Sequence, residues 1–253
     1  MLQSCAQQPA FIYRNKEYPN HKSAKYYREN IMNTNCNAKL IFVFLALTSL
    51  SFSITAETNI APKLEALQPL KTGDKAPNFT ALKVDGSEFN FDASTLERPA
   101  LIIFYRGGWC GACNQQLRDV STVFSDIKQL GVDVLFPNGD RPNILYSSLR
   151  PETKTAIDGL GYTLLSDSDL NAAQAFSVAY VLADDVLKRY RSREEWDLYN
   201  SSIDKHDALP LPSIYIVDTK GMIAFDYYNF DPTIRLSAED LKLAVKKIVA
   251  DSK

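Results

Sequence analysis

Cys110 and Cys113 are the residues whose type and spacing best suit chemistry, because only two residues separate them in the segment WCGAC. A continuous apolar stretch, 100–105, precedes them and predicts a strand buried on both faces. Apolar residues then recur every three or four positions up to Gly131, which predicts an amphipathic helix. The N-terminus of such a helix stabilises a thiolate, the nucleophilic form of cysteine. We therefore predict a pair that cycles between dithiol and disulfide.

Other uses of this CxxC pair have less support in the sequence. A zinc site usually needs a second pair of Cys or His ligands. Beyond residue 56, the chain holds no other cysteine and only one histidine, His206. A purely structural disulfide and a degenerate, inactive domain stay open as alternatives. We predict no metal and no cofactor.

The N-terminal region has the layout of a secretory signal. Residues 40–54 are apolar and uncharged, Lys39 precedes them, and small residues follow. We predict a signal peptide over 32–56, with 1–31 as a non-native or disordered extension. The apolar run is shorter than the roughly 20 residues of a membrane-spanning helix. The predicted location is a bacterial periplasm, and an uncleaved anchor facing the same compartment is the alternative.

The remaining chain is predicted to be a short linker followed by one domain. The linker is 57–72 and the domain is 73–253. The formal net charge of the whole chain is -2. Nucleic-acid binding needs clustered Lys and Arg, so this balance excludes that class of partner.

The order of predicted elements gives the fold class. Asp85-Gly86 lies between two short strand patterns, which predicts a hairpin. Strands are then expected at 100–105, 132–136, 213–217 and 222–228, and a final helix begins after Ser237. Strands separated by helices pair in parallel, whereas a late hairpin adds antiparallel strands. We predict an α/β sandwich with a central mixed sheet, flanking helices and an N-terminal hairpin.

Three separated segments of the chain resemble the thioredoxin superfamily and most closely its peroxiredoxin-like branch. Lys220-Gly221, shortly after the third segment, also fits this pattern. That branch is the alkyl hydroperoxide reductase and thiol-specific antioxidant family. The segments are 73–79 (GDKAPNF), 104–113 (FYRGGWCGAC) and 209–218 (LPLPSIYIVD), and 166–176 (SDSDLNAAQAF) is also similar. The resemblance covers about 73–252 and implies a thioredoxin-like fold. It also implies a cis proline facing the cysteines, for which Pro212 fits and Pro210 is the alternative.

The resemblance gives two assignments of the attacking cysteine. The thioredoxin pattern makes Cys110 the nucleophile and Cys113 the resolving thiol. The peroxiredoxin pattern, counted from Phe104, makes Cys113 the peroxidatic residue. Cys110 then stands where that family has Thr, and Arg106 stands where it has Pro. We predict Cys110 as the nucleophile.

Other candidate site residues surround this motif. Arg106 could stabilise a thiolate or a peroxide oxygen, or could be solvated or ion-paired. Trp109 could shield the pair and contact partners, or simply pack. The buried acid that thioredoxins carry in the strand before the motif is absent here. His206 could transfer protons or be exposed, and Asp140-Arg141 could line the site or form a loop ion pair.

The predicted function is an exported thiol-disulfide oxidoreductase and antioxidant protein that cycles the CxxC pair. Its substrates would be protein disulfides or hydroperoxides, and an external thiol donor would supply electrons. One alternative is a thiol peroxidase with Cys113 peroxidatic. Another is a module that binds or delivers Cu(I) through its thiolates, although copper carriers of this fold use a CxxxC spacing. Membrane association is expected only if the signal stays uncleaved.

Overall fold

The computed structural model describes residues 59–231 and 233–251. The predicted extension 1–31 and signal peptide 32–56 lie outside the described residues. Within the predicted linker, residues 59–72 lie against the domain. Ala61 forms a parallel bridge with Tyr180, and the side chain of Leu67 is buried.

A seven-stranded mixed sheet forms the centre of the domain. Its strands are β1 (Phe79–Leu82), β2 (Glu88–Phe91), β3 (Ala100–Phe104), β4 (Asp133–Asn138), β5 (Thr163–Ser166), β8 (Ser213–Val217) and β9 (Ile223–Tyr228). Their order across the sheet is β2-β1-β5-β4-β3-β8-β9. A separate two-stranded sheet pairs β6 (Ala179–Val181) with β7 (Ala208–Pro210). β3, β4 and β5 pair in parallel, and the other neighbours are antiparallel. The mixed sheet and the N-terminal hairpin, β1–β2, confirm the predicted fold class.

Seven α-helices are described. They are α1 (Gly111–Ser121), α2 (Phe124–Gln129), α3 (Pro151–Ile157), α4 (Asn171–Ala175), α5 (Asp184–Arg191), α6 (Ser202–His206) and α7 (Ala238–Asp251). Short 3-10 helices cover Leu64–Ala66, Ala93–Thr95, Pro142–Ile144 and Glu194–Trp196. In the part of the chain that the structure describes, no helix is both long and apolar enough to cross a membrane.

The single helix predicted after the cysteines is instead two helices, α1 and α2. The hydroxyl of Ser121 donates to the carbonyl of Arg118, and that of Thr122 donates to the carbonyl of Asp119. Such side-chain bonds compete with the helical backbone ladder. The backbone then leaves the helix at Val123 (φ -110°, ψ -1°), so the apolar stripe continues across a break.

Every residue of β3 is buried, because apolar clusters cover both faces of the sheet. Ile102 and Phe104 face one apolar cluster, which contains Tyr215. Leu101 and Ile103 face the other, which is covered by α1 and α7 and also contains both cysteines. The buried parallel centre therefore presents the motif at the carboxyl end of β3, where helix α1 begins.

Candidate active site

The two cysteines lie at the N-terminus of α1 and are joined by a disulfide, with Cα atoms 5.2 Å apart. Cys110 is the N-cap residue, with extended backbone, and its sulfur accepts a hydrogen bond from the backbone N–H of Cys113 at 3.3 Å. A helix N-terminus favours negative charge, so the same N–H can stabilise a Cys110 thiolate after reduction. The structure thus holds the two cysteines in their oxidised form.

The two cysteines differ in accessibility. Cys110 is 6% exposed, whereas Cys113 is 1% exposed and packs in the cluster beneath α1. Since a nucleophile must meet its substrate, this difference favours Cys110 as the attacking residue. Both are well covered, so substrate access requires some opening of the residues above them.

Asp140 holds the turn that precedes the cysteines. Its Oδ2 accepts hydrogen bonds from the backbone N–H of Gly108 at 2.7 Å and from the hydroxyl of Ser148 at 3.0 Å. Burial raises the pKa of Asp140 to about 6, although Gly108, Ser148 and the indole of Trp109 stabilise the carboxylate. Asp140 thus contacts the motif's backbone, whereas the adjacent Arg141 does not join it.

The close approach of Asp140 and Ser148 requires glycines in the turn. A Cβ on Gly107 would lie 2.5 Å from Asp140 Oδ1, and a Cβ on Gly108 would lie 2.6 Å from the carbonyl carbon of Ser148. Both distances are below those that real side chains adopt. The glycine pair is therefore a packing requirement of this site.

Asn114 ties the turn, the helix and α3 together. Its side-chain amide donates to the carbonyls of Gly108 at 2.6 Å and Cys110 at 3.0 Å, and its Oδ1 accepts from the backbone N–H of Arg150 at 2.9 Å. The side chain is fully buried. Sequence reasoning missed Asn114, although a polar residue that disfavours helix interiors was a signal at this position.

An aromatic lid covers the motif. We define the lid as the insert 183–207, which lies between β6 and β7. Trp196 stacks on Trp109, with ring centroids 4.6 Å apart and planes at 21°. Tyr190 packs edge-on against Trp109 and Trp196 at 5.3 and 5.2 Å. These contacts place the insert over the residue next to Cys110.

An ion pair fastens the lid to the loop after β4. Arg141 Nη2 lies 2.5 Å from Asp197 Oδ2, and Arg141 Nη1 donates to the carbonyls of Asp197 and Tyr199. The sequence left open whether residues 140 and 141 line the site or form a loop ion pair. In the structure Asp140 contacts the turn before the cysteines, whereas Arg141 forms an ion pair.

Arg106 leaves the end of β3 towards the lid. Its Nη1 donates to the hydroxyl of Tyr190 at 3.1 Å. Its Nε is buried without a hydrogen-bond partner, and it forms no ion pair with any described carboxylate. Arg106 is half-buried and is neither ion-paired nor fully solvated.

The cis peptide bond implied at Pro212 is absent, and that prediction is wrong. The described backbone contains no cis peptide, at Pro212 or at Pro210. Pro210 ends β7 in an antiparallel pair with Ala179, and Leu211 N–H donates to the carbonyl of Val178 at 2.8 Å. The chain therefore enters β8 already held in extended form. Pro212 precedes Ser213, which pairs with Phe104 in β3, so it lies at the cysteine end of the sheet.

His206 does not join the cysteine site. It lies at the end of α6, with Nε2 buried and 3.9 Å from Asp169 Oδ1. Across 59–231 and 233–251, no group of three or more His, Cys, Asp or Glu side chains is arranged to hold a metal ion.

Comparison with known proteins shows which family this chain resembles in sequence and fold. Residues 72–226 match the AhpC/TSA family. Over 112 residues the chain is 32% identical to Peroxiredoxin Bcp of Escherichia coli, covering 44% of this chain and 67% of that protein. AhpC of Mycobacterium tuberculosis superposes with a TM-score of 0.51 at 14% identity, over 73% of this chain and 96% of that one. A yeast mitochondrial 1-Cys peroxiredoxin superposes with a TM-score of 0.52 at 13% identity, over 70% of this chain and 75% of that one. These two structures support the fold.

Proposed function

The chain belongs to the AhpC/TSA family and is a thiol-dependent oxidoreductase, and we propose that it is a peroxidase that reduces hydroperoxides with Cys110 and Cys113. The observation that carries the proposal is the disulfide between these residues at the N-terminus of α1. The similarity to Peroxiredoxin Bcp supports a peroxide as the electron acceptor.

In the first step the Cys110 thiolate attacks one oxygen of the hydroperoxide. A sulfur–oxygen bond forms and the oxygen–oxygen bond breaks, leaving Cys110 as a sulfenic acid. The released alkoxide takes a proton from solvent and departs as the alcohol. The backbone N–H of Cys113, 3.3 Å from the sulfur, supports the thiolate before attack. The greater exposure of Cys110 supports its role as the residue that meets the peroxide.

In the second step the Cys113 thiolate attacks the Cys110 sulfur. The sulfur–sulfur bond forms, the sulfur–oxygen bond breaks, and hydroxide leaves as water after taking a proton. An external dithiol then returns the pair to the reduced form, supplying two electrons and two protons. The donor is proposed to be a protein dithiol, because small thiol pools are confined to reducing compartments.

Export is the second part of the proposal. The support is the uncharged run 40–54 behind Lys39, and the predicted mature chain begins at residue 57. Intact-mass measurement of the protein recovered from the cell envelope tests this. A mature species starting near residue 57 is expected, and a product that retains 1–31 contradicts the assignment.

Disulfide exchange is a second candidate function. The observation that favours it is that the first cysteine of WCGAC is more exposed than the second. A cysteine that attacks the disulfide of another protein must be the accessible one of the pair. In that case Cys110 attacks a disulfide sulfur, a mixed disulfide forms, and Cys113 releases the reduced partner. Both functions leave the same Cys110–Cys113 disulfide and differ in the first electron acceptor.

Stopped-flow fluorescence separates the two functions. The reduced protein is mixed with hydrogen peroxide, and in parallel with an oxidised protein disulfide. Trp109 adjoins Cys110 and reports the oxidation, and Trp109→Phe isolates the signal of Trp196. Peroxide oxidation far faster than that of a free thiol supports the peroxidase. Peroxide oxidation at the rate of a free thiol, with fast oxidation by the disulfide, overturns it in favour of exchange.

A further inference from the structure

The surface around the disulfide is covered on one side and open on another. The lid covers the side of Trp109, because Trp196 stacks on this indole with ring centroids 4.6 Å apart. The open side is the start of α1, where Gly111 is half-buried and Ala112 is exposed. A protein thiol that attacks the Cys110 sulfur therefore approaches over the first turn of α1.

Arg150 lies beside this approach. It is the N-cap residue of α3 and is exposed. Its Nη2 lies 3.0 Å, and its Cζ 3.6 Å, from the position that a Cβ on Gly111 would occupy. Its backbone N–H donates to Asn114 Oδ1 at 2.9 Å, which fixes the start of α3 against α1. A guanidinium group thus lies against the residue that directly follows Cys110.

Two further cations extend this positive surface. Lys154 lies one turn after Arg150 in α3, and residues four apart share one face of a helix. Its Nζ donates to the carbonyl of Ser147 at 2.9 Å. Arg118 in α1 donates through Nη1 to the hydroxyl of Thr153 in α3 at 3.3 Å. We call Arg118, Arg150 and Lys154 the basic face.

No acid neutralises the basic face. In the part of the chain that the structure describes, none of its three residues forms an ion pair with a carboxylate. Glu152 is two positions from both cations of α3, and residues at that spacing do not share a helix face. Asp119 of α1 accepts a hydrogen bond from Gln115 at 2.7 Å. The whole chain has a formal net charge of -2, so the positive charge beside the disulfide is a local feature.

We propose that the basic face docks the protein dithiol that reduces the Cys110–Cys113 disulfide, and that acidic side chains flank this dithiol. The proposal rests on the function above, in which a protein dithiol supplies the electrons. Complementary charges at the edge of a contact mainly accelerate association and select the partner. A guanidinium fork also matches the geometry of a carboxylate, which suits Arg150 to a Glu or Asp beside the partner's thiol.

The docked partner reduces the pair in two exchange steps. A partner thiolate attacks the Cys110 sulfur, the partner–Cys110 bond forms, and Cys113 leaves as a thiolate that takes up a proton. The second partner thiolate then attacks the partner sulfur of this mixed disulfide. Cys110 leaves as a thiolate, and the partner keeps the disulfide after supplying two electrons.

The test uses three dithiol peptides of equal length that share one CxxC core and carry Glu, Gln or Lys on both sides of it. Their rate constants for reducing the disulfide of the full chain are measured by tryptophan fluorescence, with dithiothreitol as an uncharged reference. The variants are Arg150→Gln, Lys154→Gln and the two combined.

Lys247→Gln is the matched control. Lys247 is exposed and belongs to none of the ion pairs of the described residues. It lies beside Asp218 and Thr219 in the turn after β8. Since the end of β8 pairs with the start of β3, this lysine is at the opposite end of the sheet from the cysteines.

We expect the Glu peptide to react about tenfold faster than the Gln peptide at low ionic strength, and the Lys peptide to be the slowest. The Glu-to-Gln ratio should approach one at about 1 M salt, where the Debye length is about 3 Å. Each single variant should lower the ratio, the double variant should bring it close to one, and Lys247→Gln should keep it. A variant that only changes the reactivity of the disulfide alters all three rates together and leaves the ratio unchanged.

Equal rates for the three peptides at low salt overturn the basic face, and so does a Glu preference that persists in the double variant. Both results leave the peroxidase intact, because oxidation of the reduced protein by hydrogen peroxide is measured separately. Reduction by dithiothreitol but by none of the peptides overturns a protein dithiol as the donor. If peroxide oxidation is no faster than that of a free thiol while the Glu preference holds, the peroxidase fails and the basic face stands as a docking surface for disulfide exchange.

Discussion

The carboxylate of Asp140 accepts a hydrogen bond from the backbone N–H of Gly108 at 2.7 Å, two residues before Cys110. An acidic group from the end of β4 thus fixes the turn that carries the redox pair. Asp140 lies in the loop after β4 and not in the strand before the motif, so the sequence could name it as a candidate but could not show its contact with Gly108.

Asp140 should leave a pH signature in stability. Its pKa is raised to about 6 by burial, from an ordinary value of 3.8. Between pH 3.8 and about 6, Asp140 is therefore protonated in the folded state and ionised in the unfolded state. Its contribution to the free energy of unfolding falls as pH rises through this range. At 1.36 kcal/mol for each pKa unit, the loss is about 3 kcal/mol. Denaturant unfolding from pH 4 to 8 measures it.

Asp140→Asn is the matched variant for this measurement, because it removes the titration and keeps the shape. Its stability should fall less than that of the wild type across the same range. Asp167, whose pKa burial raises to about 7, titrates the same way in both proteins and cancels in the comparison. Identical pH profiles would show that Asp140 keeps an ordinary pKa.

The two cysteines should behave differently when one is removed. In Cys113→Ser, Cys110 can still react with peroxide and should accumulate a sulfenic acid, because the resolving thiol is gone. In Cys110→Ser the peroxide reaction should fall to the rate of an ordinary buried thiol. A 1,3-diketone that labels sulfenic acids, followed by peptide mass spectrometry, locates the adduct. An adduct found at Cys113 of Cys110→Ser, and none at Cys110, would reverse the assignment.

Removing the stacked ring of the lid should uncover the redox pair. Trp196→Ala loses contacts with Trp109 and Tyr190, each worth about 0.5–1.5 kcal/mol. We expect a stability loss of about 1–3 kcal/mol and faster alkylation of the reduced cysteines by iodoacetamide. Leu243→Ala on the exposed side of α7 is the control, since Leu243 is 55% exposed. Unchanged alkylation would mean that the lid does not limit access.

The ion pair of the lid should matter for local order more than for global stability. Arg141→Met removes the bond to Asp197 and the two backbone contacts, while Asp197 remains largely solvated. The side chain of Arg141 is 17% exposed, whereas that of Asp197 is 56% exposed. Because solvent screens a pair with one exposed partner, we expect the unfolding free energy to fall by only about 1 kcal/mol. Proteolysis between residues 192 and 200 should accelerate. Arg193→Met, which breaks a more exposed pair with Glu195, should leave the cleavage rate near that of the wild type.

The two glycines that flank Trp109-Cys110 should respond in opposite directions to alanine. Gly108→Ala places a Cβ 2.6 Å from the backbone carbonyl carbon of Ser148, so either the turn or the segment before α3 must move, and we expect a loss of about 1–3 kcal/mol. At Gly111 the nearest atom is the flexible guanidinium of Arg150, at 3.0 Å. There Ala should be neutral or stabilising by about 0.4–1 kcal/mol. Chemical denaturation of both variants decides between these outcomes.

The fold and the cysteine pair were predictable because their signals are local. An apolar run specifies β3, and a periodic stripe specifies the helix after the motif. The break at Val123 was hidden because the apolar period continues through it. α3 was missed because it buries only two side chains, Thr153 and Ile157, and so has no stripe.

The sequence named Asp140 as a candidate and missed Asn114, and it could not show what either residue contacts, because the hydrogen bonds of the site join distant positions. Gly108 and Asp140 are 32 positions apart, and Asn114 and Arg150 are 36 apart.

The hydrogen bonds of Asn114 have a consequence for the reduced enzyme. They bridge the same turn and helix start that the disulfide spans, but they do not involve sulfur. Breaking the disulfide should therefore leave the backbone around Cys110 anchored, so that the dithiol form differs little from the disulfide form in structure. Amide hydrogen exchange at the start of α1 should accordingly be nearly as slow in the dithiol as in the disulfide, so that reduction changes the chemistry of the site more than its rigidity.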